Sequence, residues 1–89
     1  MNRPRNIVGP QIRRLRQARG MTQPMLAAKC NLLGWDLSRE TLAKIESQFR
    51  WVADAELVCL MQALDEPIEN LLPQKLTKTI RGFFKPQKE

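Results

Sequence analysis

Two short segments, each preceded by a hydroxyl residue, most constrain how this chain can fold. Thr22 precedes Gln-Pro-Met-Leu-Ala-Ala-Lys, and Ser38 precedes Arg-Glu-Thr-Leu-Ala-Lys-Ile-Glu. Each hydroxyl oxygen can accept a hydrogen bond from an otherwise unpaired backbone N–H of a first helical turn. Helices this short are not stable in isolation. We therefore expect the first helix to brace the second within an all-α domain.

A helix is predicted before this pair and two more are predicted after it. Pro10 suits the first turn of the earlier helix and Gly20 suits its end. Its inner stripe consists of Ile12, Leu15, Arg16 and Arg19, whereas Arg13, Arg14 and Gln17 face away. Asp54 is predicted to cap a fourth helix that ends near Leu64, with a core stripe of Leu57, Leu60, Met61 and Leu64. A short fifth helix then runs through Leu72.

The earlier helix of the central pair is predicted to span about Gln23 to Lys29, with Met25 to Ala28 as its packing face. The later helix is predicted to span about Arg39 to Gln48. In the later helix, Leu42, Ile45 and Phe49 share the apolar side. The opposite side carries Glu40, Ala43, Lys44 and Ser47. Within the intervening loop, three apolar side chains are expected to fold inward: Leu33, Trp35 and Leu37.

The sequence thus predicts a compact bundle of about five short helices within residues 7–73. Residues 1–6 form a flexible basic arm. Residues 74–89 form a basic amphipathic tail, which is either an extra helix or disordered.

The strings Thr-Gln-x-x-Leu-Ala and Ser-Arg-x-Thr-Leu-x-x-Ile-Glu resemble the phage-repressor-like (XRE) helix-turn-helix domains. The resemblance runs from about Ile7 to Pro73 and implies a lambda-repressor-like fold that binds double-stranded DNA. The loop between the paired helices is longer than the usual tight turn. It is similar to a branch of the family that has a longer loop.

The resemblance implies that Arg39, Glu40 and Lys44 contact base edges. Arg and Lys can donate hydrogen bonds to guanine, and Glu can accept one from cytosine. The alternatives are a phosphate contact for Arg39, a solvated first-turn residue for Glu40 and a surface charge for Lys44. The candidates for contacts to the DNA backbone are Gln23, Thr41, Ser47, Gln48 and Arg50. Arg3 and Arg5 reach a groove or neighbouring phosphates if the arm is ordered. The family also joins the positions of Arg16 and Glu46 by a structural ion pair.

Charge and composition agree with an anionic partner. The chain has 15 Lys and Arg against 9 Asp and Glu, which gives a net charge of +6 and a pI of about 10.0. No His is present, so His-based catalysis and His-containing zinc sites are excluded, and we expect neither enzymatic activity nor a cofactor. Cys30 and Cys59 match no metal spacing and are expected to be buried thiols in a reducing compartment. Without an apolar run that could span a membrane, the chain is predicted to be cytoplasmic.

Two functions remain open from the sequence. The first is a sequence-specific transcriptional regulator, repressor-like, acting as a homodimer through roughly Glu66 to Leu72, Val58 and the tail. The second is an antitoxin-like or other protein-interaction module that binds a protein partner through the tail or the dimer face. RNA binding by the tail is disfavoured, since nothing resembles an aromatic stacking platform.

Overall fold

The computed structural model describes residues 3–84, and in that range the chain is helical without strands. The helices are α1 (Gly9–Ala18), α2 (Gln23–Leu32), α3 (Arg39–Glu46), α4 (Asp54–Leu64), α5 (Ile68–Leu71) and α6 (Leu76–Phe84). The predicted all-α bundle is therefore confirmed, and of the two alternatives for the tail the structure shows the extra helix, α6. Residues 1–2 of the predicted arm and residues 85–89 of the predicted tail lie outside the described range.

Helix α1 presents Ile12, Leu15 and Arg16 to the interior. Arg19, predicted on the same stripe, is instead exposed and binds Glu66 with 2.7 Å between Nη2 and Oε2. The difference follows from the early end of the helix at Ala18, after which Gly20 adopts a positive φ of 69°.

Helix α2 begins as predicted, with Thr22 Oγ1 accepting the Met25 N–H. Leu26 and Ala27 are buried as its packing face, whereas Met25 and Ala28 are exposed. The helix continues to Leu32, beyond the predicted end, and thereby buries Cys30 completely.

The loop after α2 is correspondingly shorter than predicted. Asn31 Nδ2 donates to the carbonyl oxygens of Trp35 and Leu37, at 2.8 and 3.1 Å, and so orders this loop from the last turn of α2. Leu37 is buried and Trp35 is half-buried, but Leu33 is 49% exposed. The prediction that Leu33 folds inward is wrong, because the longer helix leaves less span to cover.

Helix α3 begins as predicted, with Ser38 Oγ accepting the Thr41 N–H at 3.1 Å. Leu42 and Ile45 are fully buried. The helix ends at Glu46, and Gln48 adopts a positive φ of 67°. The predicted core position of Phe49 is wrong, since that turn removes the side chain from the helical register and leaves it 63% exposed.

Helix α4 spans the predicted residues, but its cap differs from the prediction. Ala53 occupies the N-cap position, and its N–H donates to Glu56 Oε1 at 3.0 Å, while Asp54 is the first helical residue. Leu60 and Leu64 are fully buried, with Leu57 and Met61 partly so. The single turn α5 ends at Leu71, which completes the core formed by α1 to α5.

Candidate nucleic-acid interface

The exposed side of α3 carries the residues predicted to contact bases. Arg39 and Glu40 open the helix, Lys44 follows one turn later, and all three side chains are exposed. Their polar atoms make no hydrogen bond or ion pair within residues 3–84. A short helix with free charged groups at its N-terminal half has the form needed to enter a major groove.

A buried ion pair connects α3 to the body. Arg16 donates to both carboxylate oxygens of Glu46, with Nε···Oε2 at 2.7 Å and Nη2···Oε1 at 3.1 Å. Gln23 Nε2 donates to the same carboxylate at 3.0 Å, and Arg16 Nη1 donates to the Met21 carbonyl at 2.8 Å. The structure therefore brings Arg16 and Glu46 together, and α1, α2 and α3 meet at one carboxylate. A bidentate arrangement of this kind fixes direction as well as distance.

A cleft of about 560 Å³ lies beside this ion pair. It is lined by Thr22, Gln23 and Pro24 at the start of α2, by Ala43 and Ser47 of α3, and by Arg13 of α1. A helix N-terminus favours an anion, and here the Arg13 guanidinium shares the same cleft. Among the first-turn backbone donors of α2, the Met25 N–H is bonded to Thr22 Oγ1 and Pro24 has none, so the Gln23 N–H is the one left for a ligand. The arrangement suits a phosphate group next to α3.

Arg13 is exposed, as predicted for the outward side of α1, but its place beside α3 was missed from the sequence. It lines this cleft, whereas Arg14, which is also exposed, does not line it and donates to Gln11 Oε1 at 2.8 Å. The signal was present in the spacing: Arg13 lies three residues before the buried Arg16, and residues three apart share a helix face.

Two residues predicted to contact phosphate are engaged within the protein instead. Arg50 donates to both oxygens of Glu56, at 2.9 and 3.2 Å. These bonds raise the pKa of Arg50 and, together with the Ala53 N–H, lower the pKa of Glu56 despite partial burial. Gln48 Nε2 donates to the Asn6 carbonyl at 2.9 Å. The structure thus does not bring Arg50 and Gln48 to the exposed side of α3.

The other two backbone-contact candidates remain close to that side. Thr41 is half-buried and its hydroxyl is hydrogen-bonded to Ser38 at 3.0 Å. Ser47 is exposed, lines the cleft and donates its hydroxyl to the Ala43 carbonyl. Thr41 accepts the Ser38 hydroxyl, so its own O–H remains able to donate to a phosphate, whereas the Ser47 O–H must first leave the Ala43 carbonyl.

The C-terminal end of α3 is attached to the start of the chain. Asn6 is buried, its Nδ2 donates to the carbonyls of Ile45 and Arg50 at 3.0 and 2.9 Å, and its Oδ1 accepts the Gly9 N–H at 2.8 Å. The backbone N–H of Arg5 donates to the Gln48 carbonyl at 3.0 Å. Asn6 was assigned to a flexible arm, but these contacts make it part of the body.

Gly9 explains how closely α1 approaches α3. A Cβ atom at this position would overlap the Ile45 carbonyl oxygen and lie 2.9 Å from that of Glu46. Sequence reasoning missed both Asn6 and Gly9. The available signal was Asn6 itself, because an Asn side-chain oxygen readily accepts a nearby backbone N–H, here that of Gly9 three residues later.

The described residues hold no group of three metal-ligating side chains. None of the helices in residues 3–84 has the length and apolarity required to cross a membrane.

The family model described as helix-turn-helix matches residues 12–71, which is well over half of the chain. No curated protein and no solved structure matches the chain. The match covers α1 to α5 and includes α3 with its ion pair. This is a DNA-binding family rather than an enzymatic one. The chain belongs to the phage-repressor-like (XRE) helix-turn-helix family.

Proposed function

We propose that the protein binds double-stranded DNA with sequence specificity and regulates transcription, as a repressor-like homodimer without enzymatic activity. The observation that carries the proposal is the combination of exposed, unbonded charges on α3 with a buried ion pair that holds α3 at a fixed angle. Free charges alone would support only general attraction to phosphate. Charges on a fixed helix can select bases.

Arg39 and Lys44 are the residues we propose to contact purine acceptors. A guanidinium can donate two hydrogen bonds to O6 and N7 of guanine, and a Lys ammonium can reach the same atoms. Glu40, between them in sequence, can accept from cytosine N4 and would repel a phosphate at the same place. The mixed charge of this side therefore favours base selection over backbone binding.

Phosphate contacts are proposed for the cleft at the start of α2. Arg13 supplies the charge, and the backbone N–H of Gln23 supplies a neutral donor, because Pro24 has no N–H and the Met25 N–H is bonded to Thr22 Oγ1. Gln23 uses Nε2 for one bond to Glu46 and retains a second N–H on that amide. Contacts of this type set the position of the protein on the duplex without reading sequence.

A homodimer is proposed because a single domain of this size reads only part of one helical turn. Two copies on a two-fold site would present their α3 helices about 34 Å apart. The region from Glu66 to Leu72 is less available for dimerisation than the sequence suggests, as Leu71 is in the core and Glu66 binds Arg19. Two residues remain accessible to a second copy: Glu69, which is exposed within this region, and Val58 of α4, which is 48% exposed.

Selection of bound sequences from a random duplex pool tests this function. A two-fold symmetric consensus is expected. Arg39→Ala and Lys44→Ala should each lower affinity for that consensus by about 1–3 kcal/mol and relax preference at particular base pairs. Equal losses on the consensus and on a scrambled duplex would reduce both residues to phosphate contacts, and the absence of any enriched sequence would remove sequence specificity.

The second candidate function, a protein-interaction module, is favoured by a separate observation. An apolar cavity of about 410 Å³ lies between α6 and the body, away from the residues that line the phosphate cleft. We place the protein in the cytoplasm in either case, where both DNA and protein partners are accessible.

A further inference from the structure

Helix α6 and the body enclose a groove whose lining includes no residue of α3. We call it the α6 groove; its apolar lining includes Trp51, Val52 and Leu57 from the body and Ile80, Phe83 and Phe84 from α6. Its volume of about 410 Å³ is within the range of binding clefts. None of its lining residues except Arg5 belongs to the predicted DNA contacts.

The aromatic residues of the α6 groove are only partly covered. The rings of Trp51 and Phe83 meet edge to face with centroids 6.2 Å apart, and Phe83 contacts Phe84 in the same manner at 5.1 Å. Trp51 is nevertheless 58% exposed and Phe84 is 68% exposed. No residue of α6 is fully buried. Adjacent aromatic side chains left in water are typical of a surface that another molecule covers.

The one charged residue in the lining of the α6 groove is basic, and so are both charged residues of α6. Arg5 lines it, and α6 itself carries Lys78 and Arg81 without any acidic residue. Within the described part of the chain, neither Lys78 nor Arg81 has a carboxylate within 4.0 Å. The acidic side chains that form ion pairs, Glu46, Glu56 and Glu66, have other arginines as partners. Negative charge on an occupant of the groove would therefore be complementary to Arg5 and to the basic residues of α6.

We propose that the α6 groove is the docking site for an acidic amphipathic helix of a partner protein. Such a helix places apolar side chains at i, i+3 or i+4, and i+7 into a hydrophobic groove, and its flanking carboxylates would be attracted to Arg5 and to the basic residues of α6. Duplex DNA supplies negative charge but no apolar side chain to cover Trp51 and Phe84. A second copy of the chain, related by a two-fold axis through this face, would bring Arg5, Lys78 and Arg81 against themselves.

Fluorescence anisotropy of a labelled peptide tests the proposal on the full chain. The probe is a synthetic helical peptide with Leu at every third or fourth position and Glu between. One control peptide has Lys in place of Glu, and the other has the same composition with the Leu positions permuted. The acidic amphipathic peptide is expected to bind at least about tenfold more tightly than either control.

Variants of the protein locate the binding site. Phe84→Ala and Arg81→Glu are exposed substitutions and should each weaken peptide binding about tenfold. Leu32→Ala removes an apolar side chain that is 88% exposed outside the groove, and Lys44→Ala removes a charge of α3; both should leave peptide binding unchanged.

Three results would overturn the proposal. The first is no binding of the acidic peptide, or equal binding of the Lys peptide. The second is an equal loss of affinity in Leu32→Ala and Phe84→Ala. The third is a dimer in sedimentation experiments that Phe84→Ala dissociates, which would assign the groove to a second copy. None of these measurements contains DNA. A failure of peptide binding therefore does not contradict the proposed DNA binding, and a failure of DNA binding does not contradict peptide binding in the α6 groove.

Discussion

Replacement of Gly9 by Ala is the most direct perturbation of the contact between α1 and α3. The added Cβ would overlap the Ile45 carbonyl oxygen and would stand 2.9 Å from the Glu46 carbonyl oxygen and 3.0 Å from Asn6 Oδ1. Two of these three atoms are backbone, so no side-chain rotation relieves the crowding. To restore ordinary van der Waals separation, α1 and the end of α3 must separate by about 1 Å.

The cost of this separation can be bounded from the contacts it strains. Overpacking of a well-packed interior typically costs about 1–3 kcal/mol. The same movement stretches the bonds from Asn6 Nδ2 to the carbonyls of Ile45 and Arg50. We therefore expect Gly9→Ala to lower the free energy of unfolding by about 1–3 kcal/mol, measured by urea denaturation followed by circular dichroism. It should also lower the ratio of specific to non-specific DNA affinity, since sites that depend on position tolerate displacements of only about 0.5 Å.

Gly82 provides the matched control, because it is also a helical glycine. No atom lies within 4 Å of a Cβ built at Gly82, and its φ is not positive. Gly82→Ala should leave the fold intact and favour α6 by up to about 1 kcal/mol through helix propensity alone. A free energy of unfolding for Gly9→Ala within about 0.5 kcal/mol of the unsubstituted protein would contradict a destabilising overlap at this position. That result would mean that α1 and α3 can move apart without a measurable decrease in the free energy of unfolding.

Four further outcomes are expected. Arg16→Ala and Glu46→Ala should each lower the free energy of unfolding by about 3 kcal/mol or more. The double variant should lose less than the sum of the two single losses, and additive losses in denaturation experiments would contradict a shared contact. Arg13→Ala should weaken binding to consensus and scrambled duplexes alike, and by more than Arg14→Ala does, because only Arg13 lines the cleft with Ser47; equal effects of the two in a titration would remove Arg13 from the interface. For a dimer that neutralises ~6 phosphates, log K should fall with log salt at a slope of about −5, and a flat dependence would exclude the proposed DNA contacts. Burial, and secondarily Cys59, raises the pKa of the Cys30 thiol from 9.0 to about 12, so the unfolded state loses this proton at lower pH than the folded state. The free energy of unfolding should accordingly fall with rising pH above 9.0, by up to about 1.4 kcal/mol per pH unit, and Cys30→Ala should flatten that part of the profile.

The helix starts could be predicted from the sequence because their determinants are local. Thr22 and Ser38 each accept a hydrogen bond from a backbone N–H three residues later, as their side-chain chemistry requires. Helix ends were less predictable. Nothing local shows that α2 must continue until Cys30 reaches α4, or that Gln48 turns to a positive φ after α3.

In the candidate site too, the features set by local sequence were predictable, and those set by distant contacts were not. The exposed charges of α3 follow from a helical register, and Arg16 with Glu46 follows from family resemblance. The hydrogen-bond partners of Arg50 and Gln48 could not be predicted from the sequence, since several neighbouring groups compete for each long polar side chain. Asn6 was the least predictable, because it joins carbonyls 39 and 44 residues away. A residue near a chain terminus is expected to be poorly ordered unless such contacts exist.

The two sets of contacts on α3 have a joint consequence for recognition. An eight-residue helix does not set its own direction, because its internal hydrogen bonds are too few to make it stable alone. Glu46 is held from one side by Arg16 and Gln23, and the Ile45 carbonyl is held from the other by Asn6. The last turn of α3 is thus fixed in two directions, while Arg39 and Glu40 in its first turn are free to contact a ligand. Loss of either set should let the helix pivot, which would reduce discrimination between base pairs more than general attraction to DNA.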